Sequence, residues 1–135
     1  MAKAALSFGG NIGDVSATIA SALRHLEAVG VRVVARSSDY RTHPWGKTDQ
    51  PDFTNVSAVV ETALPPLQLL ATCLDVERKL GRVRHERWGP RVIDIDLIAY
   101  DDVSMETPKL TLPHRHAHAR GFGLIPLPQL ATALL

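Results

Sequence analysis

The fold class that this 135-residue sequence predicts is α+β, an antiparallel sheet with helices packed on it. Three observations predict it. Two segments, around Val15 to Val29 and Pro66 to Leu80, carry apolar residues at helical spacing. Four short runs rich in β-branched or alternating apolar residues surround them and read as strands. Two long polar loops, 42–53 and 82–91, interrupt the pattern, and loops that long are uncommon unless they carry function.

Each element has its own reason. Lys3 to Phe8 reads as a buried strand. Gly9-Gly10-Asn11-Ile12-Gly13-Asp14 reads as a tight turn, with Asp14 or Ser16 placed to cap the next helix. In that helix Ile19, Ala22, Leu23 and Leu26 recur on one side, and Gly30 fits its stop. Val31 to Tyr40 is β-branched and reads as a second strand, with Thr54 to Thr62 a third, antiparallel to it. Pro65 and Pro66 suit a first helical turn, where the missing N–H leaves no hydrogen bond unmade. Leu69, Leu70, Cys73, Val76, Glu77 and Leu80 give that helix its period, and Gly81 ends it. Val92 to Tyr100 is the fourth strand, Lys109 to Leu112 a short further one, and Leu124 to Leu135 a terminal helix or irregular tail. The order strand, helix, strand, strand, helix, strand is that of the ferredoxin-like βαββαβ sandwich.

The length fits one domain, 1–135, with a real core. An apolar fraction of 45% makes it globular. A net charge of +1 without a basic or acidic tail argues against nucleic-acid or membrane-surface binding. Cys73 is the only cysteine, which excludes an intrachain disulfide and a thiolate metal cluster. Its apolar helical surroundings make it a buried small hydrophobe. No secretory pattern and no apolar run of membrane-spanning length occurs, so the expectation is a soluble, cytoplasmic monomer.

The chemistry concentrates in Arg87-Trp88-Gly89-Pro90-Arg91-Val92-Ile93-Asp94-Ile95-Asp96. Strand side chains alternate faces, so Asp94 and Asp96 share one face while Ile93, Ile95 and Leu97 line the other. Two such carboxylates stand roughly 7 Å apart at Cα and can converge on hard cations. Mg²⁺ suits them, because it takes a few carboxylates plus substrate phosphates. A solvated sheet face gives the same pattern. Arg82, Arg84, Arg87 and Arg91 fall within ten residues, and guanidinium forks match phosphate oxygens two at a time. A solvated basic loop balanced by Glu77 and Glu86 is the alternative. The first loop mixes Trp45 and Phe53 with Asn55 and hydroxyl groups, a composition that suits a flat heterocycle or simple packing of the loop. The chain has no P-loop, and its glycine turn lacks dinucleotide spacing. His114, His116 and His118 have no Cys or carboxylate at ligand spacing, which disfavours a transition-metal site.

The segment 87–96 closely resembles the signature of the 6-hydroxymethyl-7,8-dihydropterin pyrophosphokinases, which move diphosphate from ATP to a pterin alcohol in folate biosynthesis. Phe8-Gly9-Gly10-Asn11-Ile12-Gly13-Asp14, Ser38-Asp39-Tyr40-Arg41-Thr42 and Asp49-Gln50-Pro51-Asp52-Phe53-Thr54-Asn55 resemble other family segments. So do Gly81-Arg82-Val83-Arg84, Leu112-Pro113-His114 and Arg120-Gly121-Phe122. The resemblance implies that Asp94 and Asp96 hold two Mg²⁺ ions with ATP, and that Arg82, Arg91 and Asp96 form the catalytic set. It assigns Glu77, Arg84, Arg87, Trp88, Arg91, His114 and Arg120 to ATP. It assigns Thr42, Pro44, Trp45, Phe53, Asn55, Trp88 and Phe122 to the pterin, with Phe53 and Phe122 sandwiching the ring. The chain departs from the family pattern at Gly10, usually Ser, and at Leu74 and Arg115, often polar and aromatic. Trp45 is bulkier than the usual aliphatic. Two other classes compete: a catalytically silent nucleotide- or pterin-binding relative, which makes no AMP, and a ferredoxin-like RNA-binding module. The second needs paired strand aromatics that the carboxylate strand does not carry.

Overall fold

The computed structural model describes residues 1–43, 49–81 and 92–113. The elements run β1 (Ala2–Gly10), α1 (Val15–Ala28), β2 (Arg32–Arg36), β3 (Tyr40–Thr42), β4 (Phe53–Thr62), α2 (Pro66–Lys79), β5 (Asp94–Tyr100), β6 (Met105–Glu106) and β7 (Thr111–Leu112). The sheet order is β2-β4-β1-β5, with β3 also paired to β4 and every pairing antiparallel. This is the ferredoxin-like order that the sequence predicts.

Alternation along the central strands builds the core. Ala4, Leu6 and Phe8 of β1, Val56, Ala58 and Val60 of β4, and Ile95 and Leu97 of β5 bury one face of the sheet. Ile19, Ala22 and Leu26 of α1 and Leu69, Cys73 and Val76 of α2 close over that face. Fully burying one Leu, Val or Phe side chain contributes about 1.5–3 kcal/mol, so this two-layer arrangement is what holds the sheet. Asp14 caps α1 by accepting the Ala17 N–H at 3.2 Å. Pro65 and Pro66 open α2 as expected, and Gly81 follows it at a φ of 91° that suits glycine.

Three local expectations are corrected. Gly9 and Gly10 do not form a turn: β1 runs on through both, and Gly9 lies opposite Asn55 on β4 and Asp94 on β5. The reason for glycine there is close approach, since a Cβ on Gly9 would stand 2.8 Å from Asn55 Oδ1. The run Val31 to Tyr40 is two strands, because Ser37 interrupts the ladder. Its N–H donates to the Ser57 carbonyl at 2.8 Å, and its hydroxyl accepts the Ser57 N–H at 3.0 Å. Arg36 and Asp39 then pair at 2.8 Å across the bend, where Asp39 also accepts the Ser16 hydroxyl. Finally, Thr111–Leu112 pairs with Met105–Glu106, a partner strand that the sequence reading did not find. The arginine loop, 82–91, and the expected element at 124–135 lie outside the described residues.

Candidate active site

The face of the sheet away from the helices carries a polar patch at one end, beside the buried Ala5 and Val59. The antiparallel register sets two rows across it, since directly opposed residues send their side chains to the same face. One row runs Asn55, Gly9, Asp94, and the next Ser57, Ser7, Asp96. Asp94 and Asp96 are half-buried, while the alternating Ile95 and Leu97 are buried on the core side. The expected shared face of the two carboxylates is therefore observed.

Asn55 anchors the other end of this face. It is buried, and its Nδ2 donates to Thr42 Oγ1 at 3.0 Å and to the Tyr40 and Phe53 carbonyls at 3.3 Å each. Thr42 and Phe53 are paired in the β3–β4 register. The three residues assigned to the pterin by resemblance and lying within the described chain thus gather at one spot. Gly9 separates them from Asp94 with nothing but backbone.

Glu77 sits behind the carboxylate strand. Only 3% of it is exposed, and its Oε1 accepts the Ile95 N–H at 2.6 Å, between the two aspartates. This short bond ties α2 to the strand that carries Asp94 and Asp96. Cys73, one turn earlier, is fully buried, as expected. Burial pushes its thiol up to about 12, with the negative charges of Glu77 and Asp96 adding to the effect.

Sequence reasoning missed four contributors. Asn11 is buried, and its Nδ2 donates to Gln50 Oε1 at 2.8 Å and to the Pro51 carbonyl at 3.0 Å. It ties the end of β1 to the far side of the first loop. Tyr40, Ser57 and Ser7 bring hydroxyls together under the carboxylates, with Tyr40 Oη 2.9 Å from Ser57 Oγ. The available signal was the placement of two serines in otherwise apolar strands. Pro44, Trp45, Arg82, Arg84, Arg87, Trp88, Arg91, His114, Arg120 and Phe122 lie outside the described residues, as do His116 and His118.

Among the described residues, no three His, Cys, Asp or Glu side chains form a metal cluster. Two carboxylates alone do not make a closed all-protein cage. They do fit Mg²⁺, which keeps open positions for phosphate oxygens and water. Among the described residues, no helix is long and apolar enough to cross a membrane.

A two-layer α+β domain with a carboxylate pair at one end of its open face and an amide-lined spot at the other has the build of a small-molecule enzyme. The chain belongs to the family described as 7,8-dihydro-6-hydroxymethylpterin-pyrophosphokinase (HPPK), whose sequence profile matches residues 5–132. It is 52% identical over 136 residues to the 2-amino-4-hydroxy-6-hydroxymethyldihydropteridine pyrophosphokinase of Methylorubrum extorquens, covering 100% of this chain and 86% of that one. It is 35% identical over 136 residues to the protein of the same name from Haemophilus influenzae, covering 100% and 85%. In fold it matches a Plasmodium falciparum HPPK-DHPS structure with a TM-score of 0.67 at 15% identity, over 100% of this chain and 41% of that one. The chain is thus a pyrophosphokinase, a transferase of folate biosynthesis.

Proposed function

We propose that this enzyme transfers diphosphate from ATP to 6-hydroxymethyl-7,8-dihydropterin on the open face of the sheet, with Asp94 and Asp96 as its metal ligands. The observation that carries the reading is the layout of that face: Thr42, Phe53 and Asn55 at one end, the two aspartates at the other, and glycine between them. A pterin lying against Phe53, with its edge at Asn55 and Thr42, would extend its hydroxymethyl arm toward Asp94 and Asp96.

Two Mg²⁺ ions held by this pair would offset the charge of the ATP phosphates. The chain does the rest. The hydroxymethyl oxygen attacks the β-phosphorus in line, the bond from that phosphorus to the α-phosphate oxygen breaks, and AMP leaves. In this reading Asp96 is a candidate acceptor for the hydroxyl proton. Reactions of this kind depend on positioning and charge stabilisation more than on covalent help. Arg82, Arg84, Arg91, His114 and Arg120 serve the phosphates in this reading, and Arg87 and Trp88 help hold ATP. Pro44, Trp45, Trp88 and Phe122 complete the pterin pocket. Glu77 serves the same site from behind, through Ile95. We further infer a cytoplasmic monomer: a lone buried thiol fits a reducing compartment.

The test is product analysis with ATP, Mg²⁺ and the pterin alcohol. AMP forming one-for-one with pterin diphosphate, and only with both pterin and Mg²⁺ present, is the expected result. ADP would point to a plain kinase. Tight binding of either substrate without AMP would make the chain a silent relative, with Leu74 and Arg115 the first residues to revert.

A further inference from the structure

The hydroxyl row beneath Asp96 has no part in the chemistry above, yet it is costly to build. Ser57 is 2% exposed, in the middle of a strand whose neighbours Val56, Ala58, Val59 and Val60 are buried and apolar. Its hydroxyl meets Tyr40 Oη at 2.9 Å. Ser7 stands directly opposite Ser57 on one side and Asp96 on the other, so its side chain lies between them on the same face. Ser7 also lies close enough to Tyr40 to act on its phenol, which burial raises above the ordinary value. Burying hydroxyls in a sheet is unfavourable unless they are paired. Here Tyr40 and Ser57 are paired with each other, and Ser7 stands beside Ser57 in a row that ends at a carboxylate. An apolar Val or Ala would satisfy the packing at positions 7 and 57 equally well.

We propose that Ser7 is a positioning residue for Asp96, held in place by Tyr40 and Ser57. A carboxylate on a strand is free to rotate about χ2. A hydroxyl standing next to it in the register limits that rotation and directs the remaining lone pairs of Asp96 toward the open face. The groups that support a metal-ligating carboxylate commonly change metal affinity by roughly 10–100-fold when removed. Glu77 holds the backbone of β5 from the helix side, and the hydroxyl row holds the side chain from the open side. The proposal rests on Asp96 being a metal ligand.

The experiment uses the intact chain with Mn²⁺ as the probe, followed by its paramagnetic resonance signal in the presence of a non-hydrolysable ATP analogue. Wild type, Asp96→Asn, Ser7→Ala, Ser7→Thr and Tyr40→Phe are compared, with thermal unfolding as the control for folding. Ser7→Ala is expected to weaken Mn²⁺ binding about tenfold, Ser7→Thr to restore it, and Tyr40→Phe to weaken it by a smaller factor. If Asp96→Asn weakens binding while Ser7→Ala and Tyr40→Phe both bind as wild type, the positioning role is overturned. If Asp96→Asn itself binds Mn²⁺ as wild type does, the ligand assignment fails instead. Should Ser7→Ala lose the fold, Tyr40→Phe alone decides, because it removes only the hydroxyl that anchors the row.

Discussion

The two faces of the central sheet are made by the same strands and have opposite characters. On β1, Ala4, Leu6 and Phe8 face the helices and are fully buried, whereas Ser7 and Gly9 face the cleft. On β5, Ile95 and Leu97 face the helices, whereas Asp94 and Asp96 face the cleft. A period of two thus separates stability from chemistry within one backbone. The comparison teaches that neighbouring residues, one position apart, answer to different selective demands. A change on the helix face should cost folding, and a change on the cleft face should cost turnover.

The sharpest way to break that comparison is at the aspartates. Asp94→Ala and Asp96→Ala are each expected to reduce AMP formation by roughly a thousandfold or more, while shifting stability by no more than about 0.5 kcal/mol. Full activity in either variant, measured by AMP release, removes that residue from the site. On the opposite face, Phe8→Ala should cost about 3–5 kcal/mol in a denaturant titration, a large part of what a domain this size possesses. Activity per folded molecule should be retained at low temperature.

Gly9→Ala probes the open face where Asn55 crosses the backbone closely. Its Cβ would stand 2.8 Å from Asn55 Oδ1, so the amide must move and disturb its bonds to Thr42 and Tyr40. We expect a loss of about 1–3 kcal/mol, together with weaker pterin binding and unchanged ATP binding by calorimetry. Equal loss for both substrates would count against a pterin pocket at Asn55.

The smallest effect concerns Cys73, which packs on the helix face next to Glu77. Its thiol is raised from 9.0 to about 12, so the folded state holds the proton more tightly than the unfolded chain. The stabilisation this represents is complete below pH 9 and is lost as pH rises toward 12. Denaturant midpoints measured at pH 8 and pH 10.5 should fall more in wild type than in Cys73→Ala. In the native protein at pH 8 the thiol should react with an aromatic disulfide reagent only upon unfolding.

Much of this could be read from residue order. Helical spacing, Pro66 and Gly81 marked α2 to within a residue or two, and β5 showed its two faces plainly. The failures share one cause. Gly9-Gly10 looks like a turn because glycine is usually placed for its backbone freedom. Here it is needed because Asn55, far along the chain, lies across it. Ser37 looks like any strand residue until Ser57 is brought opposite it. Glu77 fits an apolar helix period and an ATP contact alike. Its bond to the Ile95 N–H follows only once α2 packs against β5.

The sequence by itself determined the element types, the βαββαβ order and the pairing of Asp94 with Asp96 on one face, because periodicity and capping act over a few residues. The tertiary structure alone decided which distant residues share a row: Asn55 with Gly9 and Asp94, and Ser57 with Ser7 and Asp96. Strand register is a long-range property, set by how the buried faces of β1, β4 and β5 fit against two helices. No local pattern in the chain carries that information.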